Sequence, residues 1–136
     1  MRIDREALRT GIPLIDRQHE AYFGLVECLF GVAERGHVDR AELDKAVAEV
    51  IRYAVEHFDA EEFLMRSANY PATREHSAKH AAFREQANNL VDEYRGRTDV
   101  DVYAIRLNNL LVDWFTDQVR TDDRQLAAFL KTTRPP

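Results

Sequence analysis

Apolar side chains recur at alternating steps of three and four along most of this chain, and four such series can be traced. Leu43, Val47, Val50, Ala54, His57, Glu61 and Leu64 make one. Ile15, His19, Tyr22, Val26, Leu29 or Phe30, and Ala33 make another. His76, His80, Phe83, Ala87, Leu90 and Tyr94 form a third, and Ala104, Leu107, Leu111, Trp114 and Gln118 a fourth. A repeat near 3.6 residues lays each series along one helix face, the face that a folded chain turns inward. Alternating apolar and polar positions, the mark of a strand, nowhere extend far enough to compete.

Helix-breaking residues separate the series. The first segment is expected from about Asp16, a cap candidate after GIPLI, to the Arg35-Gly36 stop. The second starts near Asp39 or Ala41 and ends around Ser67, ahead of NYP. The third starts between Pro71 and Thr73 and reaches Arg95-Gly96, and the fourth runs from near Val100 through Trp114. Leu126 with Phe129 or Leu130 predicts a short further helix. Short connections make neighbours antiparallel, so the expected fold is all-α: an up-down-up-down four-helix bundle with a short C-terminal helix, in a single domain over residues 1–136.

The series contain polar residues that a core ordinarily excludes. His57 and Glu61 are four apart, as are His76 and His80, and residues at that spacing sit one above the other on a helix. Either pair alone is common on solvated helices. Here the phase of the neighbouring apolar residues turns both pairs inward, and His19 shares the buried face of the first segment. A carboxylate and several imidazoles buried together are costly without a compensating charge, which a bound cation supplies. Four-helix bundles build metal sites between facing helices.

Composition narrows the classes. With 136 residues, 45% hydrophobic and 32% charged, the chain is long enough for one core and carries no mark of disorder. A net charge of -5 and the lack of a Lys/Arg stripe argue against nucleic acid as a partner. No apolar run approaches the roughly 20 residues of a membrane span, and MRIDREALRT lacks the apolar centre of a signal peptide. The single Cys28 cannot pair within the chain, which agrees with a reducing compartment; it is expected to be a packing residue, and the location cytoplasmic.

Gln118 occupies an inward position where another ligand is expected. The next candidate carboxylate, Asp123, is five residues on, which on an ideal helix turns it about 140° away. Both reach one site only if the helix ends, or bulges as π-helix, between them. Asp123 rather than its neighbour Asp122 is the expected ligand.

Four stretches, GIPLIDRQHEAYF around His19, HFDAEEFLM from His57, NYPATREHSAKH through His80 and WFTDQVRTDDRQL around Trp114, together resemble the bacterial hemerythrins in order and spacing over nearly the whole chain. The resemblance implies a non-haem di-iron centre inside the bundle. His19 and His57 would hold one iron and His76 and His80 the other, with Glu61, Asp123 and an oxo or hydroxo group bridging the two. It implies binding of O2 for storage, delivery or sensing, beside an apolar oxygen pocket walled by Phe58, Trp114, Phe115 and Val119.

Two positions depart from that pattern. The family's third histidine on the second iron corresponds to Gln118, and His37 does not replace it, because ERGHVDR reads as a solvated connection. Gln118 is left with three roles: a weak ligand through its amide oxygen, the holder of a water or hydroxide, or a gap. A neutral amide is a poorer iron ligand than imidazole. Tyr22 stands where the family usually has an aliphatic residue. It is either a core aromatic with a locally bonded hydroxyl, or it reaches the oxygen pocket and the open position of the first iron. These departures keep two alternatives open: a di-iron redox enzyme with peroxidase, oxidase or nitric oxide chemistry, and a site for another metal or a single ion. Zinc alone suits this donor set poorly. The expected partners are O2 or another small diatomic or peroxide ligand and an unidentified redox partner, with no nucleic acid and no membrane; the expected state is monomeric.

Overall fold

The computed structural model describes residues 5–34 and 39–133, without the side chains of residues 30, 32–34 and 133. His37, and the side chains of Phe30 and Ala33, lie outside the described residues. Helices α1 (Pro13–Glu34), α2 (Arg40–Ser67) and α3 (Thr73–Glu93) are followed by a long composite rod. It comprises α4 (Val100–Asn109), a π turn (Leu110–Trp114), α5 (Phe115–Gln118), a second π turn (Val119–Asp123) and α6 (Arg124–Thr133). A 3-10 turn at Glu6–Leu8 precedes them, and the described residues contain no strand. The all-α expectation is met; the terminal helix, α6, follows the second π turn without an intervening loop.

Helix α1 starts three residues before the expected Asp16. Pro13 takes the first helical position, where its fixed φ fits and its missing N–H costs nothing. Asp16 instead reaches back from the first turn, accepting from the Thr10 amide at 2.8 Å, the Thr10 hydroxyl at 2.7 Å and the Gly11 amide at 3.0 Å. Burial alone would raise the Asp16 carboxyl, but these bonds outweigh it and hold the group below its ordinary range. Gly11, at φ 84°, makes the turn that brings those amides round. At the start of α2 the Asp39 carboxylate caps the helix by accepting from the Ala41 amide at 3.1 Å.

Cross-helix bonds fix opposite directions for neighbours. Arg40, opening α2, donates to the carbonyls of Tyr94 and Arg97 just beyond α3, at 3.0 and 2.9 Å. Arg106 of α4 donates to the Tyr94 hydroxyl at 3.0 Å, and Lys131 of α6 donates to the Thr10 carbonyl ahead of α1 at 2.8 Å. The larger apolar core includes Val26, Leu43, Val50, Phe83, Leu107 and Leu111. A smaller one joins Ile12, Ile15, Met65, Leu126 and Ala127 near the end of the bundle where α1 begins. A layer of buried polar side chains lies between them.

Three details differ from the periodic pattern. Trp114 is half-buried and Phe115 takes its place inside, because the first π turn adds a residue and advances the inward phase. Leu64 is likewise half-buried, while Met65 is fully enclosed. Cys28 is exposed rather than packed; it lies off the face defined by Val26 and Leu29. No described helix is long and apolar enough to cross a membrane.

Candidate metal centre

Seven polar residues from the four rods meet in the buried layer: His19, His57, Glu61, His76, His80, Gln118 and Asp123 are each no more than 3% exposed. The second π turn brings the last two to the same face. Widening one turn to i→i−5 bonding lets the five-residue step from Gln118 to Asp123 close a circuit that an α-helix overshoots. Asp122 turns outward to an ion pair with Lys79, at 2.7 and 2.9 Å. Asp123 turns inward, as expected.

His19, His57, Glu61 and Asp123 form one group of potential ligand atoms and Glu61, His76, His80 and Asp123 another, each with its atoms within 4.8 Å of one another. Glu61 divides its oxygens: Oε2 lies 3.4 Å from His57 Nε2 and 3.9 Å from His19 Nε2, and Oε1 lies 3.1 Å from both His76 Nε2 and His80 Nε2. Asp123 does the same, with Oδ2 at 2.9 Å from His19 Nε2 and Oδ1 at 3.0 Å from His76 Nε2. Each carboxylate therefore faces both halves, one oxygen to each.

These close approaches are mostly not hydrogen bonds. The Nε2 atoms of His19, His57 and His80, Glu61 Oε2 and both Asp123 oxygens have no hydrogen-bond partner among the described residues. Groups so deeply buried are normally satisfied. Their donor atoms are instead gathered closely enough for each group to surround a cation, and imidazole nitrogen with carboxylate oxygen suits first-row transition metals.

Electrostatics reinforce the layer. Burial would raise the Glu61 carboxyl, yet the charge of His57, the close approach of His57 and His80 and the hydrogen bond from His76 hold it well below its ordinary value. Burial would lower His76, but the nearby carboxylates of Asp123 and Glu61 prevail and raise its pKa to about 9. His57 is also raised, with burial opposing and Glu61 favouring its charged form.

Outer partners differ from ring to ring. His57 Nδ1 lies 2.7 Å from Gln18 Oε1, and His80 Nδ1 lies 3.0 Å from Glu62 Oε2. The Nδ1 atoms of His19 and His76 have no partner among the described residues. Sequence reasoning missed Gln18 and Glu62. The only signal was their adjacency to His19 and Glu61, and helix periodicity does not say which neighbouring helix such a side chain meets.

Aromatic rings wall the layer. Phe58 lies flat on His80 with centroids 4.0 Å apart, and Phe115 stands edge-on to His19 at 5.5 Å. Val119 is fully buried, whereas Trp114 packs on Phe83 and Phe58, a layer behind the histidines. Tyr22 stacks on Phe115 at 3.7 Å, and its hydroxyl donates to the Leu111 carbonyl in the first π turn at 3.1 Å. Burial pushes that phenol well above its ordinary pKa. Gln118 Nε2 is buried without a partner. A cavity of about 490 Å³ at the start of α1, lined by Arg5, Arg9, Arg17 and Phe23 among others, extends to His19.

The fold and the layer together define a helical bundle whose facing helices supply imidazoles and shared carboxylates to an interior metal site. The sequence profile of the hemerythrin HHE cation-binding domain matches residues 10–130. Similar proteins include the bacteriohemerythrin of Pseudomonas paraeruginosa, 32% identical over 88% of this chain and 74% of its own length. Those of Stenotrophomonas maltophilia and Methylococcus capsulatus are 31% and 27% identical, over 93% and 85% of this chain and 80% and 85% of their own lengths. No solved structure gives a significant match. The chain belongs to the hemerythrin family of HHE cation-binding domains.

Proposed function

We propose that this chain is a non-haem di-iron protein that binds O2, in storage, delivery or sensing. The observation that carries the reading is the division of Glu61 and Asp123 between two groups of donors, one oxygen of each carboxylate to each group. In this reading His19 and His57 would hold one iron and His76 and His80 the other, with Glu61 and Asp123 each offering an oxygen to both and an oxo or hydroxo group completing the pair. When bound, the iron pair supplies two electrons to a small oxidising ligand and takes them back. The two carboxylates offset cationic charge in a layer whose side chains are almost fully buried. Phe58, Phe115 and Val119 form the inner wall of the oxygen pocket, with Trp114 behind them, and keep the space apolar, which limits side reactions of a reactive ligand. Tyr22 braces Phe115 rather than reaching the donors, since Leu111 already holds its hydroxyl. The chain acts as one domain over residues 1–136, a cytoplasmic monomer served by an unidentified redox partner.

A second reading, a di-iron redox enzyme acting on O2, peroxide or nitric oxide, is favoured by one observation. Gln118 is buried with an unpartnered amide where the family pattern has an imidazole. Anaerobic purification, metal analysis and an optical spectrum recorded as air is admitted test both. Two irons per chain with a reversible absorption change support the carrier; a transient change that decays irreversibly supports the enzyme; fewer than two irons overturns both. In Gln118→His the change should become longer lived, and an unaltered decay rate would remove Gln118 from the argument.

A further inference from the structure

The two halves of the buried layer present the same donor types inward and differ in what holds them from outside. His57 is backed by a neutral amide oxygen, Gln18 Oε1 at 2.7 Å, whereas His80 is backed by a carboxylate, Glu62 Oε2 at 3.0 Å. Both partners accept from Nδ1–H, which sets the tautomer and leaves Nε2 free to face the interior. A charged acceptor makes a bond roughly twice as strong as a neutral one and draws the ring further toward imidazolate character. Such an outer carboxylate strengthens the opposite ring nitrogen as a metal ligand.

Glu62 is itself held in place. The Arg84 guanidinium lies 3.8 Å from Glu62 Oε2 and 3.2 Å from Asp59 Oδ1, and it sits 5.7 Å over the Phe58 ring. Phe58 in turn lies 13° from parallel with His80, so the imidazole is clamped on its face by Phe58 and on its edge by Glu62. Neither His19 nor His76 has an outer acceptor among the described residues. Of the rings in the layer, only His80 has a carboxylate hydrogen-bonded behind it among the described residues.

We propose that Glu62 is a positioning residue that makes the His76/His80 half the tighter metal position, so that the two ions load in order, this half first. The inference rests on the two-ion reading of the site. Gln118 aside, without Glu62 the halves would offer similar sets of two imidazoles and two shared carboxylate oxygens, and their intrinsic affinities would converge.

The test is a titration of the full-length, metal-free protein with Co2+, followed by absorption and by proton NMR of the shifted, exchangeable imidazole N–H signals. The expected wild-type result is two steps, the first accompanied by the N–H signal of His80. Glu62→Gln keeps an acceptor but removes the charge, and it should weaken the first step by about 10- to 100-fold with the second little changed. Gln18→Glu should strengthen the second step toward the first. A merely structural role for Glu62 would lower thermal stability and leave the order of filling intact. If Glu62→Gln leaves both steps as they were, or weakens them equally, the inference is overturned while the two-ion site stands. If the wild type takes up fewer than two ions, the site reading falls and this inference with it.

Discussion

His19 with His57, and His76 with His80, stand on opposite sides of Glu61 and Asp123, and each pair receives one oxygen from each carboxylate. The inner geometry is nearly symmetric. Behind it the symmetry ends: a neutral amide supports one half, and a carboxylate tied to Arg84 supports the other. Donor identity alone therefore does not describe this site, because the acceptor behind an imidazole alters the nitrogen in front. The difference also shows how little chain is needed to create it. Gln18 and Glu62 are each one residue away from an inward donor, on a part of the helix that a binary pattern records only as polar.

The largest expected effect comes from erasing what the halves share. Glu61→Ala removes an oxygen from both groups and leaves His57 and His80 without their nearest carboxylate and His76 with Asp123 alone, so two-ion binding should be lost, beyond the about 10- to 100-fold cost of an outer change. Metal analysis of the purified variant decides it, and a wild-type iron content would sink the bridging role.

Next in size is a dependence on pH that should touch both halves, since His57 and His76 are both raised. Burial pulls His76 down, but Asp123 and Glu61 raise it to about 9 in the metal-free protein, so at neutral pH its ring is charged. An ion entering there must displace that proton. Affinity should then climb with pH by up to about tenfold per unit until it levels off above the raised pKa. Chelator competition across this range, with proton release followed in a pH-stat, measures it; a flat profile would show that His76 is already neutral when metal arrives.

The smallest effect separates the wall from the donors. Tyr22→Phe removes the hydroxyl bonded to Leu111 and leaves a buried carbonyl short of a partner, which should cost about 1 kcal/mol of stability. Metal affinity in both halves and the spectrum of the loaded protein should not move. Denaturant unfolding and the Co2+ spectrum read the two quantities separately, and a displaced spectrum would put the phenol at the metal.

Much of this site is legible in the sequence alone. The inward phase of His57, Glu61, His76 and His80 follows from apolar neighbours at steps of three and four, and each of these residues is buried. Asp123 was legible for a subtler reason: its spacing from Gln118 demanded a widened turn, and the π turn at Val119–Asp123 meets that demand. The first π turn left no such trace, so Trp114 was assigned the place that Phe115 occupies. Asp16 was placed as a cap because its residue type fits one, although Pro13 begins the helix and Asp16 reaches back to it.

What the sequence determined by itself is whatever repeats along one helix: the number of rods, their inner faces and the donor types those faces carry. Such features depend on separations of three and four residues, which any α-helix translates into direction. The tertiary structure decided what depends on two rods at once. It settled which carboxylate oxygen meets which imidazole, which rings gain an outer partner, and where the Tyr22 hydroxyl ends. Those contacts join residues dozens of positions apart, at distances set by helix separation and rotation. No periodicity within one rod encodes the facing surface of the next.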